Sequence, residues 1–262
     1  MLNQRVSLFG LPFVAADRHG IVEEVLTRVR AAEHIFVLTV NVDILVKFLQ
    51  EAGDEQFQMA CRAAELVVAD GMPIVWASRL VGKPLPSRVA GVDLMVDLCK
   101  AAAEHDLAVS FLGAPPGVGE RVVTLLTAQF PQLRVAGVYA PPLGFETISS
   151  EMSKAINAAN KGAPDLLFVA LGSPKAENWV HLVRSQLQAH AVIGVGGALD
   201  MLSGRVLRAP RWMQNAGVEW AWRLWQEPAR LWRRYLVDDI KFPVYVWREW
   251  RQRPVKRQRV KD

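Results

Sequence analysis

Short runs of β-branched and other apolar residues alternate along this chain with longer stretches whose apolar residues recur at helical spacing. The runs 35–40 (IFVLTV), 65–69 (ELVVA), 108–112 (AVSFL), 133–138 (LRVAGV), 165–171 (DLLFVAL) and 190–195 (HAVIGV) predict strands. Between them the spacing predicts helices over 18–32, 42–50, 72–80, 90–104, 117–129, 147–160, 175–188 and 198–203. Strand and helix in alternation predict an α/β, Rossmann-like domain, a mostly parallel sheet with helices on both faces. Ahead of it, VSLFGLPFVAAD after Arg5 superficially resembles a signal peptide. Gly10 and Pro12 interrupt it and a single Arg is a weak n-region, so the segment reads as a β-hairpin. From Arg205 onward the strand signal fades. Three or so helices rich in Trp and Arg follow, punctuated by Pro210, Pro228, Pro243 and Pro254. One boundary is therefore drawn near Gly204, giving a domain over 1–204 and a helical appendage over 205–262.

Charge sharpens that division. The net +5 is unevenly spread: residues 205–262 hold 12 Arg, 3 Lys and 6 acidic residues, a balance of +9, which leaves −4 on the remainder. Seven of the nine Trp lie in the same tail. Arg and Trp interleaved at helical spacing suit a membrane interface or a nucleic acid, and charge alone does not choose. No run reaches the roughly 18 uncharged apolar residues that cross a bilayer. With 51% apolar residues the chain can bury a substantial core. Cys61 and Cys99 sit in helical-looking stretches without CxxC spacing, so neither a disulfide framework nor a zinc site is expected, and a reducing compartment is.

Ligands of parallel α/β sheets bind beyond the carboxyl ends of the strands. The residues there are Thr39-Val40-Asn41, Asp70-Gly71, Gly113-Ala114-Pro115, Gly172-Ser173-Pro174-Lys175 and Gly196-Gly197-Ala198-Leu199-Asp200. Three of these are Gly-rich turns into helices, which leave backbone N–H groups free for a phosphate. Asp70, Asn41 and Asp200 also read as helix N-caps. Asp93 reads as solvent-facing or capping, and Asp238-Asp239 as a solvated pair. No complete dinucleotide fingerprint and no GxxxxGK[ST] loop occurs. The five His show no ligand spacing and there is no DxD, so no metal is expected.

Several of these segments, in this order, resemble one family: Thr39-Val40-Asn41, VADGMPIVW around Asp70, Arg88-Val89-Ala90-Gly91-Val92-Asp93-Leu94, Leu171-Gly172-Ser173-Pro174-Lys175, GVGGALD ending at Asp200, Arg208-Ala209-Pro210, and GVEWAWRLWQEPARLWRRYL from Gly217. Over nearly the whole chain the sequence resembles the WecG/TagA/CpsF glycosyltransferases (family 26). The resemblance implies inverting, metal-independent transfer of a hexose from a UDP-sugar, N-acetylmannosamine-type or glucose, onto an undecaprenyl-diphosphate-linked sugar for a surface or exopolysaccharide. It implies Asp70 as general base, with Thr39, Asn41 and Arg88 as further pocket residues. Gly113, Gly172, Lys175, Glu177, Gly196, Gly197 and Asp200 correspond to nucleotide-sugar contacts. Arg223, Arg230 and Arg233 correspond to arginines of an appendage that meets the lipid diphosphate and the membrane, which places the protein at the inner face of the cytoplasmic membrane. The family usually reads PKQE where this chain has Pro174-Lys175-Ala176-Glu177, which leaves the donor sugar open. The alternatives are a glycosyltransferase with a soluble acceptor, or a nucleic-acid-binding module that uses the basic tail.

Overall fold

The computed structural model describes residues 4–50 and 53–252. The chain opens with a hairpin of β1 (Arg5–Leu8) and β2 (Leu11–Val14), turned by Phe9 and Gly10, both at positive φ. That backbone matches the twist of paired antiparallel strands. Asp17 then caps α1 (Arg18–Arg30) through the Gly20 N–H. β3 (Ile35–Val40), α2 (Val42–Leu49), α3 (Glu55–Arg62), β4 (Leu66–Ala69), α4 (Met72–Leu80) and α5 (Gly91–Glu104) follow. Next come β5 (Ala108–Gly113), α6 (Val118–Gln129), β6 (Arg134–Tyr139), α7 (Ser149–Asn160), β7 (Leu166–Ala170), α8 (Lys175–Val183), β8 (Ala191–Gly194) and α9 (Ala198–Leu202).

The eight strands form one sheet in the order β1-β2-β4-β3-β8-β7-β5-β6, parallel except for the β1–β2 hairpin. Two apolar layers cover its faces, as the alternation of strand side chains requires. In β3, Phe36, Leu38 and Val40 join the layer under α2, α3, α4 and α8, whereas Ile35 and Val37 face α1, α5 and α6. Both cysteines are free and buried in these layers. The chain runs from β4 across the sheet to β5 and returns through β7 to β8, so β3 and β8 become neighbours late in the sequence. Their carboxyl ends lie where the winding reverses, the position at which such sheets bind ligands.

Two departures from the sequence reading are local. The structure adds α3 to the helices that the spacing predicts; its eight residues place only Phe57, Ala60 and Cys61 inside, too few for a clear apolar stripe. The predicted helix 175–188 stops at Val183 and tightens into a 3-10 turn at Arg184–Gln186.

Among the described residues four α-helices follow Gly204: α10 (Arg211–Asn215), α11 (Glu219–Gln226), α12 (Pro228–Arg233) and α13 (Phe242–Arg251). A π-helical turn (Arg234–Asp238) and a 3-10 turn (Asp239–Lys241) join the last two. The sequence reading of Pro254 and the basic end KRQRVKD lies outside the described residues. These helices dock on the sheet domain. Phe242 and Val246 of α13 enter its apolar layer, Phe242 meets Phe9, and Lys83 pairs with Glu249 at 2.8 Å. At Gly217, φ +63°, the Trp76 ring stands 2.3 Å from where a side chain would begin, so only glycine lets α4 approach that turn.

The outer surface of the appendage carries large apolar side chains among exposed arginines. Trp212, Trp220, Trp225, Trp232, Trp247 and Trp250 are 43% to 73% exposed, beside exposed Leu207, Leu236, Ile240 and Val244. Among the described residues no helix is long and apolar enough to cross a membrane.

Candidate active site

The site is built on the ends of β3, β4 and β8. The Thr39 hydroxyl donates to the Gly194 carbonyl at 2.6 Å and ties the ends of β3 and β8 together. Two residues on, Asn41 caps α2, its Oδ1 accepting from the Ile44 N–H at 3.1 Å. Asp70 follows β4, held by its own N–H on the Val40 carbonyl at 2.7 Å. The N-cap of α4 is Gly71 and no side chain caps it, so Asp70 is free of the capping role its sequence position allowed. The loop before α5 folds back onto β4 through Val89 N–H to Ala69 carbonyl, 2.8 Å, which sets Arg88 beside Asp70. A Cβ on Gly91 would stand 3.4 Å from Thr39 Oγ1 and 3.5 Å from Asp70 Oδ2. The glycine thus marks where the two functional groups converge.

Burial raises the Asp70 carboxyl to about 6 against a hydrogen bond from the Gly91 N–H and the charges of Arg88 and Arg223, while Glu219 raises it further. A carboxyl so placed is unprotonated near neutral pH yet basic enough to take a proton.

The appendage closes this cleft. Arg88 pairs with Glu219 of α11 at 2.9 Å and donates to Gln214 of α10 at 3.3 Å. Arg223 of α11 reaches over the Gly196-Gly197 turn: a Cβ on Gly197 would stand 3.2 Å from its Nη2, and its buried Nε has no hydrogen-bond partner. Gly196 and Gly172 both have positive φ and open space where a side chain would stand. Gly113 differs, since a Cβ there would lie 2.5 Å from the Ala170 carbonyl of β7. Close strand packing therefore explains that glycine.

Other sequence candidates lie around the cleft without entering it in the same way. Lys175 pairs with Glu146 at 2.5 Å. Glu177 is buried beside Lys47 and Asp43, and burial raises its carboxyl to about 7. Asp200 is in the first turn of α9 rather than at its cap and pairs with Arg205 at 2.8 Å. Arg230 forms a two-bond pair with Glu227 near Asp200. Arg233 is exposed. Ala176, where the family usually has Gln, is buried in the apolar layer that also holds Trp179.

Two acidic residues are corrected. Asp93 is neither solvent-facing nor a cap, since Arg208 grips both of its oxygens at 2.5 and 2.7 Å and Arg18 approaches at 3.4 Å. Asp239 is not a solvated charge; its side chain is 10% exposed, 3.9 Å from Arg234, and burial raises its carboxyl to about 6. Sequence reasoning also missed Arg208, Glu219 and Arg234 as site neighbours. All three carried a signal: Arg208 in the Arg208-Ala209-Pro210 segment, and Glu219 and Arg234 in the segment that runs from Gly217. Among the described residues no group of three His, Cys, Asp or Glu is placed to hold a metal ion.

A Rossmann-like sheet with a half-buried carboxylate, open glycine turns and an arginine over them is a framework that suits a glycosyltransferase. Comparison with known proteins identifies the class directly. The model of the glycosyl transferase WecG/TagA/CpsF family matches residues 6–256, and the chain belongs to that family. It is a hexosyltransferase. Its relatives include the N-acetylglucosaminyldiphosphoundecaprenol N-acetyl-beta-D-mannosaminyltransferases of Bacillus spizizenii and Bacillus subtilis. The first is 34% identical, covering 80% of this chain and 77% of the relative. The second is 33% identical, covering 81% and 79%. The enzyme of the same name from Staphylococcus aureus MRSA252 is 28% identical over 87% and 88%.

Proposed function

We propose that this chain transfers a hexose from a UDP-sugar to the sugar of an undecaprenyl-diphosphate-linked acceptor, with inversion and without a metal ion, at the membrane surface facing the cytoplasm. The observation that carries the reading is Asp70 within the field of Arg88 and Arg223, with Arg223 lying over the open Gly196-Gly197 turn. Asp70 takes the proton of the acceptor hydroxyl as its oxygen bonds the anomeric carbon. The bond from that carbon to the diphosphate breaks, and UDP leaves with the electron pair. Attack opposite the leaving group inverts the anomeric centre. Arg223, the backbone N–H groups of the Gly196 and Gly172 turns and the start of α8 neutralise the leaving diphosphate, the role a metal ion has in other transferases.

A lipid-linked acceptor is supported by the names of the relatives, which act on N-acetylglucosaminyldiphosphoundecaprenol, and by the tryptophan-studded surface of the appendage. Trp at headgroup depth with interleaved Arg is the composition of an interfacial anchor. The donor sugar is tested by supplying UDP-N-acetylmannosamine, its uronate and UDP-glucose in turn, with a synthetic lipid-diphosphate-sugar acceptor in anionic vesicles and excess EDTA. Transfer from one donor in EDTA is the expected result. Transfer only after Mg²⁺ or Mn²⁺ is restored would refute the arginine-based mechanism, and equal use of a water-soluble sugar would refute the lipid acceptor.

A further inference from the structure

Arg234 lies at the start of the π-helical turn between α12 and α13. Turns of this kind recur at functional sites because the wider winding re-aims a side chain. Here it turns the guanidinium back onto the sheet domain. Arg234 Nη2 donates to Asn41 Oδ1 at 3.3 Å, and Nε faces Asp43 at 3.6 Å and Asp239 at 3.9 Å. The guanidinium also lies 5.3 Å from the centre of the Tyr235 ring, which itself meets Trp220 of α11. A planar group held on these sides has little freedom left.

The consequence falls on Asn41. Its Oδ1 already accepts from the Ile44 N–H at the cap of α2. With Arg234 as second donor, both acceptor sites of that oxygen are filled. The two N–H donors also settle which end of the carboxamide is oxygen, because the reversed amide would set N–H against N–H at Ile44. Nδ2 is then the free end, and among the described residues it makes no hydrogen bond. Asn41 is only partly buried, at the carboxyl edge of β3, two residues beyond Thr39.

We infer that Arg234 is a positioning residue: docking of the appendage locks the Asn41 carboxamide so that its Nδ2 donates to the bound sugar substrate. The inference rests on the reading of this cleft as the transfer site. Arg234 touches no reacting atom in this account; it makes a pocket donor rigid only when the appendage is in place. Such preorganisation lets a small angular error cost a large factor in rate.

A double-mutant cycle tests it with the full-length chain, the lipid-linked acceptor in anionic vesicles, and kcat/KM as readout. Arg234→Gln and Asn41→Ala are each expected to lower kcat/KM by roughly 10- to 100-fold. The double variant should be within about twofold of Asn41→Ala, because a positioning residue has nothing left to position. Multiplying losses, or an Asn41→Ala enzyme of normal rate, overturn the inference. Asn41→Asp guards against a misfolded Arg234 variant, since it keeps the α2 cap and gives Arg234 a charged partner while replacing the Nδ2 donor by an acceptor oxygen. Normal transfer by Asn41→Asp overturns the inference as well. Asp70→Asn in parallel separates the levels: its loss of turnover keeps the site in place whatever the cycle shows, and its normal turnover brings down the site itself.

Discussion

Replacing Asp70 by Asn should make the protein more stable and nearly inactive, and the stability gain should appear only above a definite pH. Burial moves the folded-state carboxyl from 3.8 to about 6. Between those values the folded chain keeps a proton that the unfolded chain has released. Stability therefore falls as pH rises through that window, and the whole cost is present above about pH 6. At about 1.4 kcal/mol for each tenfold change in proton affinity, the ionised carboxylate costs the fold up to about 3 kcal/mol. Asn keeps the acceptor for the Gly91 N–H and carries no charge, so it escapes this cost. For a chain of this length up to about 3 kcal/mol is a rise in melting temperature of several degrees at pH 7.5, shrinking towards zero at pH 4. Removal of the base should lower turnover by roughly 10²- to 10⁴-fold, with UDP binding retained. Wild-type kcat/KM should fall about tenfold per pH unit below about pH 6 as the base is protonated. Thermal melts of both proteins across pH, beside a pH–rate profile, make the check. A stability difference that is the same at pH 4 and pH 7.5, or near-normal turnover of Asp70→Asn, would refute the reasoning.

Two further substitutions separate chemistry from packing. Arg223→Gln removes the cation over the Gly196-Gly197 turn and should cost roughly 10²- to 10³-fold in turnover, with vesicle association nearly unchanged because six exposed Trp and the other tail arginines remain. The same change at exposed Arg233 should cost far less; equal losses would show that the tail acts only through its charge. Gly113→Ala places a Cβ 2.5 Å from the Ala170 carbonyl at φ +107° and should destabilise by at least about 2 kcal/mol. Gly117→Ala, with φ +83° and open space, should lose only about 1 kcal/mol. Denaturant titration compares them, and equal losses would refute a packing role for Gly113.

The local elements were legible because each is set by neighbours in sequence. Six apolar runs became strands β3 to β8 within a residue or so of their predicted bounds; for β3, β4, β5, β7 and β8 burial on both faces demands continuous apolar side chains, whereas the edge strand β6 is only partly buried. Gly10 and Pro12 made the opening hairpin readable in the same way, and Asn41 caps α2 through a bond that spans three residues. Thr39, Asp70 and the glycine turns were legible as a group, because parallel strands bring all their carboxyl ends to one edge. What sequence alone left open was decided by distance along the chain. Only the late return of β8 beside β3 ties Thr39 to Gly194, across 155 residues. Only docking of the appendage sets Arg88 against Glu219, Arg208 against Asp93, and Arg234 against Asn41. Asp93 and Asp239 resemble surface charges in sequence because their partners lie far along the chain; their surroundings come from packing that no local periodicity encodes. The tail's Trp and Arg announced an interface by composition, but tertiary structure sorted them, turning Arg223 and Arg234 inward over the cleft and leaving most of the tryptophans outside.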